Sequence, residues 1–243
     1  ADAEIGGLVD ALMRLVGTNA TFDDGGTSAM GLERFRAARA ALDTALQRRI
    51  DARRRRAIAP GDDDLLTALL AGGDLDDAAV RDQLVTMILA GHETTASAIT
   101  WTLLALIDNP PARTRLLAEL DGSGAADERL AELPFLQAVC LESLRVRPVV
   151  PVVSRELQAP LRLRAGEIPA GIYVTPCEYL AQRRPEPFER PDAFLPERFL
   201  QRRFSPYEYF PFGGGVRRCL GMGLGMLEMQ IVVGMLLRRF EFE

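Results

Sequence analysis

The chain has 243 residues, 48% hydrophobic and 26% charged, with a formal net charge of −5. That is an ordinary globular profile, long enough for a sizeable core in one large domain or two small ones. Three scattered cysteines (Cys140, Cys177, Cys219) exclude a disulfide framework, no CxxC pair suggests zinc or an iron–sulfur cluster, and the single histidine, His92, excludes multi-histidine metal sites; a reducing cytoplasm is the natural setting.

In chain order, apolar spacing predicts helices over Ile5–Val16 and Gly31–Arg55, the second with Leu32, Phe35, Ala38, Leu42 and Leu46 on one face. Thr18–Met30 between them is rich in Gly, Asp, Ser and Thr and reads as loop. Ala1–Asp10 carries three acids and no basic region, so it does not read as a signal peptide. All 29 basic residues are arginine. The Arg53–Arg56 run is balanced by Asp62–Asp64 and lacks interleaved aromatics, which marks a solvated helix end and no nucleic-acid patch. Leu65–Leu70 predicts a short helix ending at Gly72-Gly73. Leu75-Asp76-Asp77 opens a long helix that runs to Asp108 and stops at Asn109-Pro110-Pro111. Its apolar run, Leu84–Ile107, is long enough for a bilayer. Lipid would penalise His92, Glu93, Thr94 and Thr95 in its middle, so the expectation is a buried helix and no membrane segment. Ala112–Leu120 and Phe135–Val146 are two further helices.

Beyond Pro148 the character changes. Proline and β-branched residues lead to Ser154-Arg155, and Leu161-Arg162-Leu163-Arg164 alternates with period two. Ile168-Pro169-Ala170-Gly171 is expected to turn into Ile172-Tyr173-Val174 as a hairpin. Arg183–Phe204, with four prolines, reads as irregular. Leu220–Phe240 is the last helix, with Leu224, Leu227, Ile231 and Met235 at helical spacing. The fold class is mainly α with a small β region.

Three segments carry chemistry. Phe212-Gly213-Gly214-Gly215-Val216-Arg217-Arg218-Cys219-Leu220-Gly221 places a cysteine after a glycine-rich turn, beside arginines and before a helix. Backbone N–H groups, a helix start and positive charge all favour the metal-ligating thiolate. A phosphate loop is poorly supported, since no Gly-Lys-Ser/Thr follows, and no GxGxxG is completed. A buried structural cysteine remains the alternative. Ala90-Gly91-His92-Glu93-Thr94-Thr95 breaks local rules inside the long helix. A glycine there costs about 1 kcal/mol relative to alanine, and it leaves room for something flat and wide. Thr94 can bond a carbonyl one turn back, so a kinked helix with satisfied polar groups is the other reading. Glu142-Ser143-Leu144-Arg145 puts a carboxylate and a guanidinium on one helix face. Among Phe135, Leu136, Val139, Cys140 and Leu144 that face reads as buried, where breaking the pair costs about 3–5 kcal/mol.

Taken together, these segments resemble the cytochrome P450 family. Phe212, Gly215, Arg217, Cys219 and Gly221 fill every fixed position of its heme-binding loop. Ala90–Thr95 resembles its oxygen-binding groove motif, Glu142–Arg145 its Glu-x-x-Arg helix, and Pro196-Glu197-Arg198-Phe199 its meander motif. Leu133–Cys140 and Gln201–Phe212 look most like bacterial members of cyanobacterial type. The resemblance implies a P450 fold, incomplete at the N-terminus, forming one domain over 1–243. Within it, 1–147 is helical, 148–210 is β-rich and meander, and 211–243 holds the heme-binding loop and final helix.

It further implies a heme b ligated by Cys219. Phe212, Gly213, Gly215, Leu220 and Gly221 would hold it from the loop, Ala90 and Gly91 from the long helix, and Arg155 and Arg217 through its propionates. Glu93 and Thr94 are implied as the acid–alcohol pair that relays protons, and Glu142, Arg145 and Arg198 as a structural lock. Ile88, Leu89, Val149, Val150, Val152 and Val153 would line a pocket for a lipophilic small molecule such as a fatty acid, alkane or terpene. The implied activity is monooxygenation, with electrons from an acidic ferredoxin or flavodoxin received near Arg202, Arg203 and Arg218. Two other classes stand beside it, a non-catalytic heme-thiolate sensor or degenerate member and a redox-independent isomerase or dehydratase. Gly225 stands where the family usually has alanine.

Overall fold

The structure is a computed structural model that describes residues 3–17, 29–56, 59, 61–62 and 64–242. The chain divides into two compact units, Ala1–His92 and Glu93–Glu243. Helix α4 (Asp77–Asp108) contributes its first half to one and its second half to the other.

The first unit contains α1 (Ala3–Gly17), α2 (Ala29–Arg54), α3 (Leu65–Ala71) and the start of α4. Their apolar faces meet in a core that includes Leu12, Leu42, Ile50 and Val80, all fully buried. Short polar side chains start the helices. Asp64 accepts the Thr67 N–H at 2.8 Å before α3, and Asp76 accepts the Ala79 N–H at 2.8 Å before α4, each serving a donor that the helix itself leaves unpaired. The expected loop over Thr18–Met30 lies mostly outside the described residues, and its last two residues, Ala29 and Met30, already belong to α2.

The second unit continues with α5 (Pro110–Ser123), a 3-10 turn at Asp127–Glu132, and α6 (Pro134–Val146). Strands β1 (Arg155–Glu156), β2 (Leu161–Leu163), β3 (Gly166–Ile168) and β4 (Tyr173–Val174) follow, then α7 (Glu178–Ala181), α8 (Glu197–Gln201) and α9 (Met222–Arg239). Leu116, Leu130, Leu136, Val139 and Val233 form its core where α5, α6 and α9 meet. Gly234 permits the tight approach of α9, since a Cβ there would lie 3.0 Å from Leu130 Cδ1 and 3.2 Å from Leu136 Cδ2. The first turn of α6 is capped from a distance, because the Glu119 carboxylate on α5 accepts the N–H groups of Phe135 and Leu136, both at 2.9 Å.

Two expectations need correction. Helix α4 is not buried: Met87, Trp101 and Leu104 are exposed, and burial is confined to a stripe that includes Val80, Leu84, Ala98 and Leu106. A run that is largely apolar, with most of its polar residues gathered in the middle, gives no indication of which face is covered. No described helix is long and apolar enough to cross a membrane. The hairpin also falls elsewhere. β2 turns directly into β3, pairing Leu161 with Ile168 and Leu163 with Gly166, whereas β4 returns to β1 and pairs Arg155 with Val174. Arg164-Ala165 makes the turn, and Gly166 takes the positive φ of 140° that follows it. Helix α8 stands inside the Arg183–Phe204 stretch expected to be irregular, and α7 in the short segment before it that has no expected element.

Candidate functional site

The cysteine loop is shaped by its glycines and closed by its backbone. Gly213 and Gly215 adopt left-handed φ values of 71° and 63°, a region that side chains other than glycine seldom enter. The Gly213 N–H donates to the Phe210 carbonyl at 2.8 Å, and the Cys219 N–H returns to the Phe212 carbonyl at 2.9 Å. Phe212 anchors the loop by packing on the core of the second unit. Cys219 is thereby held outward, with an exposed thiol, at the positive end of α9, whose cap is Gly221. A Cβ at Gly221 would lie 3.9 Å from the Cys219 Sγ. Val216 and Leu220 flank it almost fully exposed, at 102% and 94%.

The other cysteines are placed differently. Cys140 is fully buried, and burial pushes its thiol up to about 12, so it remains neutral. Cys177 is half-buried after β4. Of the three, Cys219 alone combines an exposed thiol with glycines on either side of it, at 213–215 and at 221. The exposed sulfur, with open space where Gly214 and Gly215 Cβ atoms would stand, is accessible to a ligand, so the residues present fit a heme.

Helix α4 carries Ala90, Gly91, Glu93 and Thr94, all exposed, with open space where a Gly91 Cβ would stand. The helix is continuous through them. His92 approaches Asp10 at 3.5 Å. Within the second unit, a Cβ at Gly225 on α9 would lie 3.9 Å from the Thr95 Oγ1, so the helix that follows the cysteine passes beside the residue after Thr94. Arg155 sits on β1 with its guanidinium bonded to the Ser154 carbonyl at 2.9 Å, and Arg217 lies exposed in the 3-10 turn Gly215–Arg217. Neither has a carboxylate partner among the described residues. The six aliphatic residues expected around a substrate fall into different settings. Ile88 and Leu89 pack on the core of the first unit and Val149 on that of the second, whereas Val150 and Val152 are exposed and Val153 is half-buried.

Glu142, Arg145 and Arg198 come together in the interior. Glu142 and Arg145 are both fully buried and joined by two bonds, Nε to Oε2 at 2.7 Å and Nη2 to Oε1 at 2.9 Å. Arg198 reaches the same Oε1 at 3.2 Å, and the Leu195 N–H reaches it at 2.7 Å. The other N–H groups of Arg145 donate to the carbonyls of Gln182 at 2.9 Å, Pro191 at 2.7 Å and Ala193 at 3.0 Å. All five guanidinium donors are used. Burial pulls the Arg198 guanidinium below its ordinary value and Arg145 adds to this, while Glu142 opposes it. Phe188 lies against both cations, with the Arg145 guanidinium 5.0 Å and that of Arg198 5.8 Å from its ring centre.

Sequence reasoning missed several residues that support this arrangement. Tyr209 donates its hydroxyl to the Leu141 carbonyl at 2.8 Å and packs edge-on against Phe199 at 4.9 Å. Gln182, fully buried, ties α7 to the end of α6. A polar residue among prolines gives no local signal of burial. Only the aromatic spacing of Phe199, Phe204 and Tyr209 hints at a cluster.

Comparison with known proteins is consistent with this geometry. The cytochrome P450 family profile matches residues 30–243. A Mycobacterium tuberculosis protein provisionally named cytochrome P450 137 is 41% identical over 172 residues, covering 71% of this chain and 34% of the relative. Cytochrome P450 4d2 of Drosophila melanogaster is 38% identical over 188 residues, covering 74% of this chain and 38% of the fly protein. Among solved structures, CYP175A1 from Thermus thermophilus superposes with a TM-score of 0.72 at 31% identity, over 96% of this chain and 54% of its own. The retinoic acid-bound cyanobacterial CYP120A1 gives a TM-score of 0.78 at 28% identity, over 93% of this chain and 56% of its own. The chain therefore spans well under half of these curated relatives and a little over half of the solved chains.

Proposed function

The chain belongs to the cytochrome P450 family, and we propose that it forms the heme-binding part of a monooxygenase acting on a lipophilic small molecule. The observation that carries this reading is the exposed Cys219 thiol, presented by a glycine loop at the start of α9. In the overall reaction one oxygen atom of O2 enters a C–H bond and the other leaves as water, with two electrons and two protons consumed. Heme b held by Cys219 supplies the one-electron redox chemistry and the activation of oxygen when bound.

The residues of the chain provide the surroundings. Phe212 holds the loop by its ring and its carbonyl, while Gly213, Gly215 and Gly221 keep the backbone thin enough for close approach beside Leu220. Arg155 and Arg217, exposed and without carboxylate partners among the described residues, are assigned to the two propionates. Ala90 and Gly91 offer a surface of α4 without bulk. Glu93 and Thr94, adjacent and exposed, are assigned to pass protons inward through water. Glu142, Arg145 and Arg198 hold the meander and have no part in the redox chemistry. Ile88, Leu89, Val149, Val150, Val152 and Val153 are assigned to the apolar pocket. Electrons are assigned to a ferredoxin- or flavodoxin-type partner docking near Arg203 and Arg218, since Arg202 is engaged by Glu208 at 2.8 Å. Residues 1–243 are read as part of one such domain in a cytoplasmic enzyme.

Heme-thiolate binding without turnover is the second reading, since the exposed Cys219 thiol supports ligation and does not by itself require oxygenation. Loading the chain with heme, reducing it and recording the carbon monoxide difference spectrum tests the site. A thiolate-type Soret band is expected, and its absence would remove Cys219 as the ligand. Product analysis with a surrogate ferredoxin system then separates the two readings, since hydroxylated product appears only for the enzyme.

A further inference from the structure

Helix α7 is a single turn that delivers Gln182 to the end of α6. The Gln182 N–H donates to the Glu178 carbonyl at 2.9 Å, so the two residues stand one turn apart on one face, at a spacing where side chains meet. Both side chains are buried, Glu178 to 3% exposure and Gln182 to 0%. The Gln182 Nε2 donates to the carbonyls of Leu144 at 3.3 Å and Arg145 at 3.5 Å, which fixes the amide with its oxygen turned the other way. Among the described residues, neither Glu178 Oε2 nor Gln182 Oε1 meets a donor.

Two buried acceptors one turn apart, both unserved, are unfavourable. An ionised carboxylate offers only acceptors, whereas a neutral carboxyl offers one O–H. We infer that Glu178 is carried as the neutral acid and shares its proton with Gln182 Oε1, so that one hydrogen satisfies both atoms. Burial pushes the Glu178 carboxyl up from 4.5 to about 7 and is the sole cause of the shift.

The charged groups on the surrounding elements are engaged elsewhere or exposed. On α6, Glu142 and Arg145 are closed on each other, and Arg147 lies 4.6 Å from the Trp101 ring centre. Arg183 donates to the Val146 carbonyl at 2.6 Å and approaches Asp192 at 3.7 Å, while Arg184 donates to the Ala181 carbonyl at 3.2 Å. Glu186, Glu189 and Arg190 are exposed, and residues 149–153 carry no charge. Losing the shared proton places a bare carboxylate beside Gln182, whose carbonyl is one of the acceptors of Arg145. Ionisation of Glu178 thus loosens α7 and, through it, the Glu142–Arg145–Arg198 arrangement. The contribution is full below 4.5, where folded and unfolded carboxyls are both neutral. It is lost as pH rises to about 7, because the unfolded chain ionises first.

Denaturant unfolding of the full chain across this pH window, for wild type and Glu178→Gln, tests the inference. The wild type should lose on the order of a hundredfold in its folding equilibrium relative to the variant, whose amide still donates to Gln182. Parallel pH profiles would overturn the neutral acid. If Glu178→Gln does not fold, the infrared spectrum of the wild type at about pH 6, where ordinary glutamates are ionised, decides instead. A protonated carboxyl C=O band supports the inference and its absence overturns it. Gln182→Met tests the sharing itself, since removing the acceptor should lower the titration midpoint of that band, and an unchanged midpoint would sever the two residues. The family reading stands or falls separately.

Discussion

Two regions of the second unit are built on opposite terms. Around Glu142 every strong donor has found an acceptor inside the chain, and the carboxylate and the Arg145 side chain are at 0% exposure. Around Cys219 the backbone is equally well tied, yet the thiol, Val216, Leu220 and Arg217 all face outward. The first region is complete in itself, and its residues can only stabilise. The second is tied through its backbone but leaves its side chains open to solvent. The two motifs therefore differ in physics, one closed on itself in the interior and the other open to solvent.

Mutations should separate the two regions, most sharply at the lock. Glu142→Ala strands two guanidinium groups in the interior and is expected to cost about 3–5 kcal/mol in denaturant unfolding. A cost below about 1 kcal/mol would show that the region is not closed. Cys219→Ser should abolish the thiolate-type carbon monoxide spectrum completely, while stability stays within about 0.5 kcal/mol because the side chain is exposed. Equal losses of stability at the two sites would erase the distinction. Thr94→Ala should leave the fold alone and uncouple cofactor consumption from product by roughly tenfold; unchanged coupling would take Thr94 out of the proton path. Glu119→Ala leaves two N–H groups of α6 unserved and should cost about 1 kcal/mol, read as a shift in thermal midpoint. Gly225→Ala should be the mildest. Its Cβ meets Thr95 Oγ1 at an ordinary 3.9 Å, so removing a helical glycine should stabilise by about 0.5–1 kcal/mol.

Much of this was legible in the sequence wherever the signal is local. The start of α4 at Asp76-Asp77 and its stop at Asn109-Pro110, the Glu142–Arg145 spacing and the glycine loop before Cys219 are all written within a few residues. Where the chain depends on distant partners, reading failed. The strands were paired wrongly, because a two- or three-residue strand has too little alternation to fix its register. The exposed stripe of α4 was missed because nothing in a largely apolar run states which neighbours it meets. Glu119 as a remote cap, and Gln182 and Glu178 as buried polar residues, carry no pattern at all. Their settings come from α5, α6 and α7 meeting in space.

The five donors of Arg145 also bear on the order of events during folding. Its three carbonyl partners lie 37, 46 and 48 positions further along the chain, in a stretch whose prolines deny it a regular ladder of its own. Helix α6 assembles from neighbours three and four apart and needs no distant help. The stretch from 182 to 193 has little to settle on until a loop of that length closes onto the finished helix. The meander should therefore be among the last parts of the unit to order, with substitutions there hastening unfolding far more than they slow folding.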